Sequence, residues 1–249
     1  MEQSRVYTEQ FFDAQPETAK SAGIIAGIVC EKFAPRRVVD VGCGLGLWLA
    51  AFHTCGVPFD SLLGLDGDYV PRAKLAIPES CFAEADLESR SDTSIAGTYD
   101  LAICLEVAEH LRKSAGDNLV RRLTTIAPLV MFSAAVPGQP GTRHVNLQWP
   151  TYWRARFEAA GFRMFDPIRP TIRGNENVLW WYQQNIFLFA RADAAVEYPA
   201  LGNEVQPGNE MEWVHAKVAI GEPLTMRKVL RSVPGMRSAW RRLKPLLHS

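Results

Sequence analysis

The chain has 249 residues, enough for one substantial core plus an appendage, and its 47% apolar and 22% charged residues are typical of a soluble globular protein. No apolar run is long enough to span a bilayer, and residues 1–15 are too polar and acidic for a signal peptide, so we expect a cytoplasmic protein. The five cysteines are scattered without C-x-x-C spacing, which argues against a disulfide framework and a zinc cluster.

Charge is distributed unevenly along the chain. The 27 basic residues balance the 27 acidic ones, but seven basic residues and no acidic residue lie after Glu222. The segment 223–249 therefore carries a formal charge of +7, and the preceding residues carry −7. An acidic body with a basic tail is the main global feature of the sequence.

The first predicted elements lead into a glycine-rich turn. Residues 16–33 predict a helix, with Pro16 suited to its first turn. Residues 38–41 predict a strand buried on both faces, and a second helix begins at Leu47. Between strand and helix, three alternating glycines permit a tight turn and the close approach of a ligand to backbone N–H groups; they are Gly42, Gly44 and Gly46.

This turn does not match a dinucleotide-binding fingerprint, because Leu47 stands where the third glycine of that pattern is required. The stretch from Asp40 to Gly46 instead resembles the first motif of the class I S-adenosylmethionine-dependent methyltransferases. The resemblance implies that the glycine loop passes under the methionine part of the cofactor and that Asp40 helps to hold its amino group. It also implies an α/β fold, a Rossmann-like, doubly wound sheet of seven mostly parallel strands whose last strand is antiparallel.

The next two predicted strands also end in acids. Residues 61–66 predict a strand ending at Asp66, followed by Gly67, and a carboxylate at that edge of a parallel sheet can accept both hydroxyls of a ribose. A short helix is expected over residues 69–77. Residues 81–87 predict a third strand running into a loop, where the resemblance implies that Asp86 meets the adenine amino group and that Leu87 makes the neighbouring apolar contact.

A fourth strand, predicted over residues 99–105, leads into a dense acidic motif. If the chain turns helical at Glu106, then Glu106, Glu109 and His110 share one helical face, and two carboxylates with one imidazole suit a divalent metal. The Glu-x-x-Glu-His pattern resembles that of ubiquinone-biosynthetic O-methyltransferases and of plant small-RNA 2′-O-methyltransferases, where it is associated with a metal. In the alternative, no metal binds and Glu106 shapes the cofactor pocket.

A long loop over residues 136–150 follows the fifth predicted strand, residues 129–135. Its histidine, His144, lies shortly before Trp149 and resembles the fourth metal ligand of the small-RNA 2′-O-methyltransferases. A His-Val-Asn before a tryptophan also resembles methyltransferases of polysaccharide and natural-product pathways. Three roles stay open for His144, namely metal ligand, general base and structural loop residue. Arg143 and Gln148 are secondary candidates for substrate contacts.

The end of the predicted sheet contains an aromatic insertion. A helix is expected over residues 151–160, with Gly161 as its stop, and strands over residues 162–168 and 185–190. The insertion between these strands contains Trp180, Trp181 and Tyr182, which either stack on a sugar ring or pack on their own domain.

The sequence after residue 191 has a different character, so we expect a methyltransferase domain over residues 1–191 and an extension over residues 192–249. The extension ends in two short basic amphipathic helical segments separated by Pro234 and Gly235. These segments suit peripheral contact with the inner face of an anionic membrane, or packing on the acidic body or a second subunit in a homodimer. Nucleic acid is disfavoured as a partner, because the body is acidic and no RNA- or DNA-binding module is visible.

Together these features predict an enzyme that moves a methyl group from S-adenosylmethionine to a hydroxyl of a sugar or other polyol, in carbohydrate or natural-product biosynthesis. A divalent metal such as Mg, Mn or Fe would assist, with Glu106, Glu109, His110 and His144 as its ligands and the two histidines as catalytic candidates. A hydroxyl acceptor makes best use of a metal, because a metal lowers the hydroxyl pKa. The alternatives are N-methylation of an amino sugar or small amine, and a non-catalytic binding subunit with a methyltransferase-like fold.

Overall fold

The computed structural model describes residues 16–89 and 97–206. A single seven-stranded sheet with the strand order β3-β2-β1-β4-β5-β7-β6 forms its centre. The strands are β1 (Val38–Val41), β2 (Leu62–Asp66), β3 (Phe82–Glu84), β4 (Leu101–Leu105), β5 (Leu129–Ser133), β6 (Phe162–Phe165) and β7 (Phe187–Arg191).

The first five strands are mutually parallel, and β7 runs antiparallel to both β5 and β6. The predicted fold class, a Rossmann-like doubly wound sheet with an antiparallel last strand, is therefore confirmed. The strand order reverses between β1 and β4, and at such a switch point ligands bind beyond the carboxyl ends of the strands. The predicted helical, basic tail lies outside the described residues.

Helices cover both faces of the sheet. They are α1 (Pro16–Phe33), α2 (Leu47–Thr54), α3 (Lys113–Ile126), α4 (Pro150–Ala159), α5 (Arg169–Ile172) and α6 (Trp180–Asn185). Alternating strand side chains divide the core into two layers, so Val38 packs with α1, α2, α5 and α6, whereas Val39 and Val41 pack with α3 and α4.

Two local predictions were wrong. The expected helix over residues 69–77 is reduced to a 3-10 turn at Arg72–Lys74. Pro71 disfavours a helical conformation at the residue before it, and Pro78 prevents continuation beyond Ile77. The chain also does not become helical at Glu106, which has a left-handed backbone (φ 56°) and is followed by a 3-10 turn at Ala108–His110.

The segment after β7 packs on the sheet as far as the described residues extend. Leu201 is buried in the first core layer, and the Val205 N–H donates to the Met164 carbonyl at 2.8 Å. These contacts join residues after 191 to the sheet, and the domain boundary at residue 191 stays a prediction. All five thiols are free. No helix within residues 16–89 and 97–206 is long and apolar enough to cross a membrane.

Candidate active site

A cavity of about 680 Å³ opens at the carboxyl ends of the parallel strands. Its lining comes from α1, α2 and α6, the ends of β1, β2 and β4, the loop after β3, the turn at Ala108–His110, and the loop after β5. Most predicted site residues line it; they are Asp40, Gly42, Gly44, Asp66, Gly67, Leu87, Glu106, Glu109, His110 and His144. Gly46 and Asp86 do not.

The glycine turn between β1 and α2 has left-handed backbone at all three glycines, with φ of 86°, 53° and 76°. A Cβ atom at Gly42 would lie 2.4 Å from Cγ2 of Val107, and a Cβ atom at Gly46 would lie 2.7 Å from Cδ1 of Ile77. Gly44 has nothing within 4 Å of the corresponding position. Gly42 and Gly46 thus permit close packing of the turn, while Gly44 leaves its backbone open to the cavity.

Asp40 lies at the end of β1 with only 2% of its surface exposed. Its Oδ2 atom has no hydrogen-bond partner among the described residues. Burial, and secondarily the charge of Asp66, raise the pKa of Asp40 well above its ordinary value. A cationic ligand group at Oδ2 would compensate the buried charge.

Asp66, at the end of β2, is already engaged within the protein. Its Oδ2 accepts the Gly44 N–H at 2.7 Å, and its Oδ1 accepts the Gly67 N–H at 2.7 Å and the Tyr69 hydroxyl at 2.5 Å. Burial raises the pKa of Asp66, and these three hydrogen bonds act in the opposite direction. Asp66 therefore positions the glycine turn, and a ribose would compete with Tyr69 for Oδ1.

Asp86 does not line the cavity, and its predicted contact with adenine stays a prediction. It is exposed, and its Oδ1 accepts the Glu88 N–H at 3.0 Å, which stabilises the local turn instead. Leu87 and Glu88 line the cavity there. Glu88 forms an ion pair with Arg112 at 2.9 Å and so links this loop to the segment that follows His110.

Glu109, His110 and His144 form the one group of metal-ligating side chains found among the described residues, with potential ligand atoms within 4.8 Å of one another. Glu109 is fully buried, and neither of its carboxylate oxygens makes a well-formed hydrogen bond in the described chain, although the Ala135 backbone and the Glu106 carboxyl group act on it. Burial, and then the charge of Glu106, raise its pKa well above the ordinary value. Two unpartnered buried oxygens beside two imidazoles fit a divalent cation, which would neutralise the carboxylate.

The two histidines are neutral near pH 7 and can offer lone pairs. Burial and the neighbouring His144 lower the pKa of His110 to about 4, and burial also lowers the pKa of His144. The Nδ1 atom of His144 lies 3.3 Å from the Gln139 carbonyl, which can only accept, so Nδ1 carries the proton and Nε2 offers the lone pair. The rings lie 5.1 Å apart.

The loop after β5 is attached to the turn that carries Glu109. The Glu109 carbonyl accepts the N–H groups of Val145 (2.8 Å) and Asn146 (3.0 Å), and the buried Asn146 side chain donates to the Ala108 carbonyl at 3.1 Å. Gln148 lies outside the cavity and donates to the Asn146 side chain at 3.0 Å. These bonds bring His144 to Glu109, although 35 positions separate them in sequence.

Glu106 lies outside the group of three metal-ligating side chains, and its predicted role as a metal ligand stays a prediction. Its carboxylate accepts hydrogen bonds from the side-chain amides of Gln139 (3.0 Å) and Asn185 (3.1 Å), and its backbone N–H donates to Ser133. Burial raises its pKa, and hydrogen bonds with Asn185, Ser133, Gln139 and the neighbouring Glu109 carboxyl oppose that shift. The left-handed backbone at Glu106 breaks the helical register that would have aligned it with Glu109.

Aromatic side chains form one wall of the cavity. Trp48, Trp181 and Tyr182 line it, and the rings of Trp48 and Tyr182 meet edge to face at 5.1 Å. Trp180 packs against Trp181 at 5.7 Å. The predicted aromatic insertion thus packs on its own domain and also faces the cavity.

Sequence reasoning missed several residues of the site, above all Tyr69, Glu88, Gln139 and Asn185. Tyr69 follows Asp66 by three positions, which is a detectable local signal. Gln139 and Asn185 are single amides in a loop and at the end of α6, and only their shared contact with Glu106 reveals them.

The chain matches the methyltransferase domain family over residues 22–166, more than half of its length. The chain belongs to this family of S-adenosylmethionine-dependent methyltransferases. No curated protein matches the sequence significantly.

Three solved structures illustrate the likeness of fold to other methyltransferase-like chains. DesVI from Streptomyces venezuelae is 15% identical, with a TM-score of 0.54 over 77% of this chain and 99% of that one. An O-methyltransferase family protein from Burkholderia thailandensis is 13% identical, with a TM-score of 0.52 over 74% of this chain and 58% of that one. Human N-acetylserotonin methyltransferase is 18% identical, with a TM-score of 0.50 over 73% of this chain and 55% of that one. The chain thus spans less than two thirds of the last two structures, and at these identities the likeness concerns the fold alone.

Proposed function

We propose that this methyltransferase moves the methyl group of S-adenosylmethionine to a hydroxyl of a sugar or other small polyol, assisted by a divalent cation. The observation that carries the proposal is Glu109, whose two buried, unpartnered oxygens face the same cavity as Asp40 and the glycine turn. A cation site beside the methyl donor is useful when the acceptor is a poor nucleophile, which a sugar hydroxyl is.

The donor half of the cavity suits the cofactor. Oδ2 of Asp40 would accept a hydrogen bond from its ammonium group, and the open face of Gly44 would lie against its methionine part. Asp66 would accept from the ribose once the Tyr69 hydroxyl is displaced. Leu87 would provide an apolar contact for the adenine.

The acceptor half would hold the hydroxyl in line with the donor methyl. Glu109, His110 and His144 would bind a divalent cation such as Mg, Mn or Fe, which lowers the pKa of a hydroxyl that it binds. A bond forms between the acceptor oxygen and the methyl carbon as the carbon–sulfur bond breaks, and the hydroxyl proton must leave. The second oxygen of Glu109 can accept that proton, because Glu109 lines the cavity beside the proposed cation site. If His144 does not bind the cation, its Nε2 is the alternative base.

The aromatic wall favours a ring-shaped acceptor. Trp181 and Tyr182 present flat apolar surface to the cavity, and such surface stacks on the apolar face of a sugar or on an aromatic ring. Proximity and alignment then supply most of the remaining acceleration, because methyl transfer requires little other chemistry from the protein.

The proposal is tested first by binding. Calorimetric titration with S-adenosylhomocysteine, before and after chelation, is combined with metal analysis of the same sample. We expect binding of S-adenosylhomocysteine together with one metal per chain, and loss of the metal in Glu109→Ala and His144→Ala. Glu176→Gln, which changes an exposed acid outside the cavity, is the control. Absence of S-adenosylhomocysteine binding would refute the enzyme, and binding without metal would refute the cation.

The acceptor class is tested by transfer of a labelled methyl group to sugars and to the matching amino sugars. We expect acid-stable O-methyl ethers whose formation stops on chelation. Label found only on the amines would favour the alternative of N-methylation.

A further inference from the structure

Glu106 is held in a buried polar network that joins three parts of the fold. It follows β4, while Gln139 lies in the loop after β5 and Asn185 ends α6 just before β7. Gln139 and Asn185 are 6% and 3% exposed. Hydrogen bonds between side chains this deeply buried are costly to break, because each lost partner leaves a polar group without water.

The network uses both oxygens of the Glu106 carboxylate. Oε2 accepts from Gln139 Nε2 at 3.0 Å, and Oε1 accepts from Asn185 Nδ2 at 3.1 Å. Asn185 Nδ2 also donates to Gln139 Oε1 at 2.9 Å, and Gln184 donates to Asn185 Oδ1 at 2.9 Å. The orientation of each amide is therefore determined by its neighbours.

Gln139 connects this network to the metal-ligating group, because its side chain bonds to Glu106 and its backbone bonds to His144. The backbone carbonyl of Gln139 accepts a hydrogen bond from Nδ1–H of His144 at 3.3 Å, and this contact fixes the imidazole within reach of Glu109 and His110. Outer contacts of this kind orient metal ligands, and their loss commonly lowers metal affinity about 10–100-fold.

We propose that Glu106 is a positioning residue and not a metal ligand: through Gln139 it holds the loop that carries His144. Only Glu109, His110 and His144 would then contact the cation, which departs from the four-ligand set that the sequence resemblance implies. The inference rests on the proposed function, because it concerns the same cation site.

A charge-swap experiment tests the proposal. Glu106→Gln places an amide against the amide of Gln139, and Gln139→Glu places two carboxylates face to face, so each single variant loses a bond of the network. In the double variant Glu106→Gln/Gln139→Glu, the new Gln at 106 donates to the new Glu at 139. Asn185 still finds acceptors at both positions, the Val136 N–H still finds one at position 139, and the net charge is unchanged.

We expect each single variant to weaken Mn²⁺ binding about 10-fold and the double variant to return to within about 3-fold of the wild type. With Co²⁺, the double variant should have the visible absorption spectrum of the wild type, because the first coordination shell is the same. Glu109→Gln, which alters a proposed ligand, should lose more than about 100-fold and should not be rescued at a second site.

Two results would overturn the proposal. If Glu106→Gln weakens binding as severely as Glu109→Gln and the double variant is not rescued, Glu106 is a ligand. If Glu106→Gln has no effect, Glu106 does not position the site. Thermal unfolding of every variant shows whether the fold is retained.

A second measurement separates this inference from the proposed function. Should the wild type bind no cation, the cation in the proposed function is refuted. The imidazole ¹⁵N shifts of His144 in the metal-free protein still report whether Nδ1 carries the proton. We expect Glu106→Gln to shift them and the double variant to restore them, and shifts unchanged in all variants would refute the positioning role.

Discussion

Four carboxylates line one cavity, three of them buried and that of Glu106 half-buried, and they differ in the partners that the protein provides for them. Asp66 has both oxygens bonded to the glycine turn and Tyr69, and Glu106 has both bonded to amides. Asp40 leaves one oxygen unpartnered, and Glu109 leaves two, within the described chain. Because a buried charge without a partner is unfavourable, Asp40 and Glu109 are the acids best suited to bind cationic groups of ligands.

For Asp40 this suggests a pH dependence. Burial and, secondarily, the charge of Asp66 raise its pKa. In the ligand-free protein, folding is therefore more favourable when Asp40 is protonated. That contribution to stability is present below the ordinary carboxyl pKa and is lost as the pH rises through the raised one. An ammonium group binds the ionised form, so we expect affinity for S-adenosylhomocysteine to increase as the pH rises through the same range. Calorimetry at increasing pH should show this increase. Asp40→Asn should bind S-adenosylhomocysteine weakly, with an affinity that does not rise with pH.

Tyr69 supports a second prediction at the scale of one residue. Its hydroxyl occupies Oδ1 of Asp66, an acceptor that a ribose hydroxyl needs. Removing the competitor in Tyr69→Phe should tighten binding of S-adenosylhomocysteine by roughly 0.5–1.5 kcal/mol, the net value of one hydrogen bond. Tyr99→Phe, outside the cavity, is the matched control and should change nothing. Weaker binding in Tyr69→Phe would instead mean that the hydroxyl contacts the ligand.

Among the elements, the loop after β5 is the one that completes the cation site. Asn146 attaches it to the Ala108 carbonyl through a buried side chain, and its backbone N–H donates to Glu109. Asn146→Ala should therefore lower Mn²⁺ affinity about 10–100-fold, because His144 loses its fixed distance from Glu109. Titration with Mn²⁺ measures the effect.

S-adenosylhomocysteine affinity distinguishes this local effect from general damage. In Asn146→Ala it should stay close to the wild type, since the hydrogen bonds of the Asn146 side chain join it to Ala108 and Gln148 and not to the glycine turn. A parallel loss of both ligands would indicate a disturbed fold. Gln148→Ala removes only the outer bond to Asn146 and should have the smaller effect.

For the whole molecule, the extent of the folded domain is testable. Leu201 is 3% exposed in the core, and the ring of Tyr198 meets that of Phe33 at 6.2 Å. A chain ending at Arg191 loses both contacts, and burial of one leucine side chain alone contributes about 1.5–3 kcal/mol. We expect thermal unfolding of that chain at a clearly lower temperature than that of a chain ending at Gln206. Equal thermal unfolding midpoints for the two truncated chains would place the domain boundary near residue 191. The predicted membrane or subunit contact of the basic tail concerns residues outside the described ranges and stays a prediction.

The sequence by itself determined the elements and their arrangement. The helix at Pro16–Phe33 and the strand at Val38–Val41 have the predicted bounds, because a helix with Pro in its first turn and a β-branched run that stops at glycines are local signals. The sheet class followed from the resemblance of the Asp40–Gly46 motif. The same local reasoning failed at residues 69–77, where the effect of two prolines outweighed helix propensity.

Only the tertiary structure decided which polar side chains meet. Glu106 lies three positions before Glu109 in sequence, yet it is bonded to Gln139 and Asn185, which are 33 and 79 positions away. Asp86 follows a strand that ends at the cavity, but its side chain turns to the local backbone instead. Periodicity predicts which face of an element a residue occupies. Whether a buried carboxylate is available to a ligand depends on the hydrogen-bond donors that distant segments place beside it. A buried carboxylate bonds to whichever donors the fold provides.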